Sequence, residues 1–498
     1  MSITGGWGMT RHYSIGLDVG TSVIKAAAFS EKGALIKMFS EPAPDSKIVG
    51  RASQDMNIVW EITKRLLARL AGELGELEPV SIGVCGQGDG LWALNGSGEP
   101  VFDAILWNDS HAQVQLDSWA GSGAAGIVSA NCGTGLWPGT SAAIYKQMQA
   151  DTPEIAARVV TILHAKDWIN YKLTGILATD FSDATIPFLD LKRMAYSSDS
   201  FTQLGVEALK DAVLSPQRSA EKLGTLNGEV AQSLGLPKGI PIAVGAIDVG
   251  AMHVGLGLNA PGDVLLILGT TAVVGVVTKS TPPKSPIIGA TIVHPLPDRF
   301  IRVLAPLSGT SALDWAQTAI GGGAALETLL EEANKAETGA GNLLFLPHLN
   351  GERAPFVAPG ASGVFIGLAP TSERGDIIRS VLEGVAFSMR HCVEAAGISM
   401  PKQVTLTGGG AKSPFWRQIL ADVLSCSVAV DDSPDHGLWG AALFGMAASG
   451  KIPIPQLERH GSKQSYAPNA STEALYEEKF QSYLAAQKAM AGIFQNKK

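Results

Sequence analysis

One short motif occurs twice, and its residue types suit phosphate chemistry. Near the N-terminus the chain reads Leu17-Asp18-Val19-Gly20-Thr21-Ser22, followed by an apolar run over 23–29. About 250 residues later it reads Leu266-Ile267-Leu268-Gly269-Thr270-Thr271, followed by an apolar run over 272–277. Each copy predicts strand, Gly-Thr-hydroxyl turn, strand. A glycine there lets backbone approach a ligand, and the adjoining N–H and hydroxyl groups can grip phosphate oxygens. Two such hairpins imply two related domains closing on one nucleotide phosphate tail, hence an ATP-using enzyme. Asp18 ends a buried strand just before the first turn, where it could hold Mg²⁺ directly or through water. Lys25, on the outgoing strand, could reach the phosphates. Taken alone, the first copy is also readable as an ordinary hairpin with Asp18 capping the turn and Lys25 in solvent; the second copy favours function.

Other segments offer the rest of a phosphoryl-transfer site. In Gly245-Ala246-Ile247-Asp248-Val249-Gly250-Ala251 a carboxylate follows an apolar strand and sits between small residues. Such an acid has room for a substrate beside it and suits a base near an attacking hydroxyl, although the spacing equally fits a helix N-cap ahead of 249–254. Gly86-Gln87-Gly88-Asp89-Gly90-Leu91-Trp92 lacks the spacing and following helix of a dinucleotide fingerprint. Gln87 and Asp89 instead offer an amide and a carboxylate on an open turn, and Ile105-Leu106-Trp107-Asn108-Asp109-Ser110-His111 adds an aromatic, a combination suited to polyhydroxyl recognition. Core Trp107 with surface Asn108 and Asp109 is the competing reading. Gly408-Gly409-Gly410-Ala411-Lys412-Ser413 precedes a helical pattern and leaves space for adenosine against backbone, or is a plain strand–helix connection. The absence of G-x-x-x-x-G-K-[ST], H-E-x-x-H and G-x-S-x-G argues against P-loop, zincin and nucleophile-elbow chemistry.

The elements that must position these residues alternate. Strands are expected at 13–17, 23–29, 80–85, 91–94 and 240–247, and helices at 55–74, 152–160 and 166–173. The stripe Ile58, Ile62, Leu66 and Leu70, with Val59 and Leu67 beside it, marks the first helix. The stretch 187–220 reads as surface loop. Ile377, Ile378, Val381, Leu382, Val385, Ala386 and Met389 form a helical stripe in the second half. A strand at 404–406, a glycine turn and a helix at 415–424 follow, and the last helix spans 471–494. Each half is therefore α/β with a mixed sheet, and the boundary is placed at 247/248. The 498 residues carry 57 glycines, 46% apolar residues and a formal charge of −8 without a basic cluster, which argues against nucleic acid or an anionic membrane as partner. Cys85, Cys132, Cys392 and Cys426 are scattered and fit reduced core thiols of a cytoplasmic protein. Residues 1–12 read as a loose extension, and the longest apolar stretch, 264–277, is too short and polar to span a bilayer.

In this order, these residues resemble the FGGY carbohydrate kinases of the actin/Hsp70-like ATPase superfamily, over roughly residues 13–495. The most specific piece is Gly363-Val364-Phe365-Ile366-Gly367-Leu368, then, after seven residues, Asp376-Ile377-Ile378-Arg379-Ser380-Val381-Leu382-Glu383, which matches the family's C-terminal signature. Asn350-Gly351-Glu352-Arg353-Ala354-Pro355 is similar to the G-E-R-x-P stretch before it. The resemblance implies two ribonuclease H-like domains, 13–247 binding sugar and 248–495 binding nucleotide, with the active site in the cleft between them. It implies Asp18 near Mg²⁺, and Gly20, Thr21, Ser22 and Lys25 in one phosphate loop. Gly269, Thr270 and Thr271 fall in the other, and Gly409, Gly410 and Ser413 in the adenosine motif. Gln87, Asp89 and Trp107 match sugar-contacting positions, and Asp248 matches the catalytic base. A homodimer is also implied.

The chain departs from the family pattern in places. Thr140 to Met148 does not fit the usual Lys-x-Trp segment, His111 stands where many members have arginine, and Gly88-Asp89 replaces the Arg-Glu of glycerol kinases and the Met-His of common xylulokinases. Gly-Gln-Gly-Asp-Gly with the following Trp, 17–25 and Leu163-His164-Ala165-Lys166-Asp167-Trp168 are most similar to erythritol kinases, with L-xylulose kinases sharing part of the pattern. The expectation is an ATP- and Mg²⁺-dependent kinase for the terminal hydroxyl of a short linear polyol or ketose. A sugar-sensing pseudokinase and a chaperone-like ATPase are the rivals from other classes.

Overall fold

The computed structural model describes residues 12–44, 46, 50–280, 287–431, 435–450 and 463–495. Of the expected N-terminal extension, 1–11 lie outside the described residues, whereas His12 already opens a strand opposite Glu78. Apolar residues on both faces make His12–Val19 and Val23–Ser30 a buried hairpin, with Asp18 opposite Lys25. Leu35–Pro42 adds antiparallel to its outer edge, and Glu78–Gly86 runs parallel to the first strand. Pro241–Ala243 continues the sheet in parallel, and Lys222–Thr225 closes it antiparallel.

The second sheet repeats this plan. Val264–Leu268 and Ala272–Thr278 form the hairpin, Phe300–Leu304 is the third antiparallel strand, and Gln403–Thr407 and Ser427–Asp431 follow in parallel. Ala290–Val293 and Lys463–Tyr466 extend the two edges. Helix Met56–Glu73 covers the first sheet and Arg374–Ala395 the second, each placed between the third antiparallel strand and the parallel strand that follows. The chain thus contains the same antiparallel–antiparallel–parallel–parallel sheet twice, flanked by helices, as the repeated hairpin implies.

Local chemistry explains the boundaries. Asp55 caps the first long helix by accepting from the N–H groups of Asn57 and Ile58. The buried stripe is Met56, Val59, Ile62, Leu66, Leu67 and Leu70; Ile58, expected within it, is 37% exposed, one residue off the buried face. The strand expected over 240–247 breaks into Pro241–Ala243 and Ala246–Ile247 at Gly245, whose φ is +80°. Of the helix expected over 152–160 only Pro153–Ala156 forms. The stretch 187–220, expected as surface loop, holds helix Ser198–Leu204 and buries Phe188, Phe201, Leu204, Val206 and Leu209 in a separate core. Its punctuation by Pro and Ser hid an apolar content that belongs to packing.

Helix His436–Ala448 follows strand Ser427–Asp431 of the second sheet yet packs on the first, against His12–Val19, Glu78–Gly86 and helix Asp248–Gly255. The approach is backbone to backbone: a Cβ on Gly83 would fall 1.8 Å from the Ala441 carbonyl oxygen, and one on Gly440 1.9 Å from that of Ala251. Only glycine permits this separation. The cluster of Ala27, Phe29, Cys85, Ala251, Leu438 and Trp439 seals it. All four cysteines are buried free thiols. No helix among the described residues is long and apolar enough to cross a membrane.

Candidate active site

Strand pairing alone gathers the residues of the first half. Val19 and Ile247 both pair with Gly86, on opposite sides of that strand. The Gly20–Ser22 turn, the Gln87–Gly90 turn and Asp248 therefore emerge side by side at the carboxyl ends of three parallel strands, where α/β sheets bind ligands. In the second sheet Ile267 pairs with Thr407, so the Gly269–Thr271 turn adjoins the 408–410 glycines in the same way.

Asp18 and Lys25 face each other across the first hairpin, with Nζ 3.9 Å from Asp18 Oδ2. The same ammonium lies 2.5 Å from Asp435 Oδ2, an ion pair that joins the two halves of the chain. Asp435 also caps helix His436–Ala448, accepting from the Leu438 N–H at 3.4 Å. Sequence reading passed over Asp435, because nothing around it repeats the phosphate motif. Burial, with the charges of Asp435 and Asp248 adding to it and Lys25 opposing, pushes the Asp18 carboxyl up to about 7. Three carboxylates against one ammonium leave an excess of negative charge, and carboxylate oxygens are the donors Mg²⁺ prefers, so these residues fit that ion.

The first turn is held by a hub at Thr21. Its hydroxyl donates to Gln87 Oε1 at 2.9 Å and accepts from the Trp107 indole N–H at 3.1 Å. Gln54 donates to the Thr21 carbonyl at 2.7 Å and accepts from Gln87 Nε2 at 2.9 Å. Gln87 is 3% exposed, so its amide braces the turn, and Trp107 keeps only its half-buried ring for a ligand. Gln54, which completes the brace, carried no sequence signal. The second turn rests on a helix N-terminus: Gly309 N–H donates to the Thr270 carbonyl at 3.0 Å and Thr310 N–H to that of Gly269 at 2.7 Å. Thr270 itself is exposed. The space around the Cα of Gly409 is open, whereas Gly410 packs on Leu268. Ser413 caps helix Pro414–Leu424 through a 3.3 Å bond from the Trp416 N–H, so its hydroxyl serves the helix.

Asp248 is the first residue of helix Asp248–Gly255, and Ile247 holds the cap position. Its Oδ1 accepts from the Val249 N–H at 2.5 Å. Burial raises its carboxyl to about 6 against that hydrogen bond, and the charge of Asp183 adds to the rise. Asp89, in the left-handed region at φ +56°, is raised by burial to about 7; His164 opposes the rise, and Asp183 and Asp248 add to it. Asp248 and Asp89 thus share one electrostatic neighbourhood with His164 and Asp183. Burial would lower His164, but the nearby Asp183 and Asp167 carry its imidazolium to about 9. His164, Asp167 and Asp183 offer donor atoms within 4.8 Å of one another, but the Lys166 ammonium already lies among these carboxylates. Asp180 and Asp183 were not singled out in the sequence, where the signal available was a run of polar residues in an otherwise apolar, buried segment.

Residues 13–255 match the N-terminal domain of the FGGY family of carbohydrate kinases, and residues 264–449 match the C-terminal domain. The chain belongs to the FGGY family. An Escherichia coli protein named xylulose kinase is 32% identical over 93% of this chain and 96% of its own. A Brucella abortus erythritol kinase is 29% identical over 96% of each. The crystal structure of xylulose kinase from Rhodospirillum rubrum superposes with a TM-score of 0.89 at 26% identity, covering 97% of this chain and all of that one. The two similar α/β domains are those of the actin-like ATPase fold. As an FGGY kinase, the protein transfers phosphate from ATP to a hydroxyl of a sugar or polyol.

Proposed function

We propose that this FGGY kinase phosphorylates the terminal hydroxyl of a short linear polyol or ketose, a tetritol like erythritol first among them, with Asp248 as the base. In this reading residues 13–247 hold the acceptor and 248–495 the nucleotide. The observation that carries it is the grouping of Asp89 and Asp248, both with carboxyls raised by burial, beside the first phosphate turn. Carboxylates accept hydrogen bonds from hydroxyls and repel anions, which favours a neutral, hydroxyl-rich acceptor.

Asp248 accepts the proton of the attacking hydroxyl, and its position at a strand end fixes the direction of attack. Lys25 meets phosphate oxygens from one side, and main-chain N–H groups of Thr21, Ser22 and the Gly269–Thr271 turn meet them from both, the Gly20 N–H being taken by the Val23 carbonyl. Asp18 would hold Mg²⁺, which when bound supplies neutralisation of phosphate charge. Gly409 offers the open surface for adenosine, and Gly410 seats the turn behind it on Leu268. Closure of the halves about helices Asp248–Gly255 and His436–Ala448 would exclude water as a competing acceptor.

A ketopentose of the xylulose type is the second reading, favoured by the 32% identity to the Escherichia coli xylulose kinase. ADP release with ATP and Mg²⁺ across erythritol, threitol, L- and D-xylulose, ribulose, xylitol, ribitol and glycerol separates the two. A kcat/KM at least tenfold higher for one tetritol names the first reading, and the same excess for a ketopentose names the second. Acceptor-independent hydrolysis alone would point to a sugar sensor or a chaperone-like ATPase and end both.

A further inference from the structure

The strand that delivers Asp248 is broken at Gly245, and side chains of the acceptor half hold the break in place. A Cβ on Gly245 would stand 2.0 Å from the Val84 carbonyl oxygen, and its φ of +80° turns the chain. The Gly245 N–H donates to the Ser219 carbonyl at 2.8 Å, and Asn170 Nδ2 donates to the Val244 carbonyl at 2.8 Å. Past the break, Ala246 and Ile247 pair with Cys85 and Gly86, and Asp248 comes next. A strand of two residues sets a direction poorly, so the aim of Asp248 depends on what else holds Ile247.

That hold is the Ser182 hydroxyl, which accepts the Ile247 N–H at 2.9 Å. Ser182 is buried, and it donates its own proton to Asp180 Oδ2 at 2.7 Å. Asp180 Oδ1 in turn lies 3.1 Å from the fully buried Lys166 ammonium. A carboxylate paired to an ammonium only accepts hydrogen bonds, so the Ser182 hydroxyl must donate to it and turns a lone pair to Ile247. Asp180 also accepts from the Ser182 N–H at 3.0 Å and from the Ser219 hydroxyl at 2.7 Å. Contacts therefore run from Lys166 through Asp180 and Ser182 to Ile247, one residue before the carboxylate at 248.

We propose that Ser182 is a positioning residue for the phosphoryl transfer: its hydroxyl, set by Asp180 and Lys166, fixes the Ile247 amide and with it the direction in which Asp248 meets the attacking hydroxyl. The inference rests on the reading of Asp248 as the base and holds for any acceptor. Without the hydroxyl, the buried Ile247 N–H loses its acceptor. The backbone then shifts to find another, Asp248 shifts with it, and a displacement of about 1 Å at a reacting group costs up to about a hundredfold in rate.

The test compares Ser182→Ala with Ser219→Ala in the whole enzyme, using ATP, Mg²⁺ and the acceptor of highest kcat/KM from the panel above. Each variant takes one hydroxyl donor from the same oxygen of Asp180, but it is Ser182 whose hydroxyl also holds Ile247. Ser182→Ala should lower kcat roughly tenfold to a hundredfold, with both KM values within about threefold of wild type, while Ser219→Ala keeps kcat within about twofold. Amide hydrogen exchange reads the same contact apart from catalysis. In peptides spanning Ile247, exchange should be roughly tenfold faster in Ser182→Ala and unchanged in Ser219→Ala. Equal losses of kcat in the two variants, a wild-type kcat in Ser182→Ala, or wild-type exchange at Ile247 in that variant overturns the assignment and leaves Ser182 a structural donor to Asp180. If Ser182→Ala does not fold, Ser182→Cys puts a weaker acceptor at the same place. It should lower kcat in smaller measure, and a kcat equal to wild type overturns the assignment. Failure of the underlying reading looks different: Asp248→Asn would keep wild-type turnover, and both assignments fall. Failure of this inference alone leaves Asp248→Asn inactive and Ser182→Ala at the wild-type rate.

Discussion

Replacing Asp248 by Asn should abolish most turnover and stabilise the protein at the same time. Burial raises this carboxyl from an ordinary 3.8 to about 6. Because the folded state binds the proton more tightly than the unfolded chain, ionisation of Asp248 costs stability as pH rises from about 4 to 6. That cost is fully present at pH 7 and absent below pH 4, where both states are protonated. The difference between 3.8 and about 6 corresponds to ~3 kcal/mol. Half-burial leaves some solvent screening, so this is a ceiling. Asn keeps an oxygen for the Val249 N–H and carries no charge, so the variant recovers the cost. For 498 residues unfolding in one step the gain is about 3 °C in Tm, and about twice that if the halves unfold separately. The assay is thermal unfolding of both proteins at pH 4 and pH 7, beside kcat/KM from pH 5 to 8. Wild-type kcat/KM should fall at least tenfold between pH 7 and pH 5, where Asp248 gains its proton and Asp18 and Asp89 are also protonated, and the variant should be slower by about a hundredfold to ten-thousandfold with a shallower limb that lacks the Asp248 step. A variant no more stable than wild type at pH 7, or a stability difference that does not change with pH, would refute the argument that a desolvated carboxylate is held in readiness at this position.

Lys25→Met should raise KM for ATP by roughly tenfold or more and leave KM for the acceptor unchanged, since the ammonium that balances Asp18 and Asp435 is lost. Equal KM values for ATP in the two proteins would remove Lys25 from the phosphate site. Gly83→Ala should lower stability by about 3 kcal/mol or more, because its Cβ would lie 1.8 Å from the Ala441 carbonyl oxygen on a helix that cannot give way locally. A Tm within a degree of wild type would show that helix His436–Ala448 is not fixed against the sheet.

The repeated hairpin was legible in the sequence because it is local: strand, glycine, hydroxyl, strand, with no distant residue needed to recognise it. The long helices were legible for the same reason, since a 3.6-residue period survives in any context. The failures share a cause as well. Ile240 to Ile247 looks like one apolar run, and what divides it is the approach of Gly245 to the Val84 carbonyl, a contact from another strand. The 187–220 segment looks like loop because its helices are short and its apolar residues irregularly spaced, yet those residues fill a core built with 91–156.

The site divides along the same line. Most residues singled out by type lie beside a strand end or in a turn, and strand register brings Gly20–Ser22, Gln87–Asp89 and Asp248 together without further design. Their roles, however, depend on partners the motif does not contain. Gln87 has the chemistry of a sugar-binding amide, but Thr21 and Gln54 take up its side chain, so it braces the Gly20–Ser22 turn. Ser413 has a hydroxyl beside a glycine turn, but a helix cap uses it. Conversely Asp435, 410 residues from Lys25, meets its ammonium only because helix His436–Ala448 crosses to the other sheet. A motif therefore identifies which backbone will meet the ligand, whereas the surrounding hydrogen bonds decide which side chains remain free to do so.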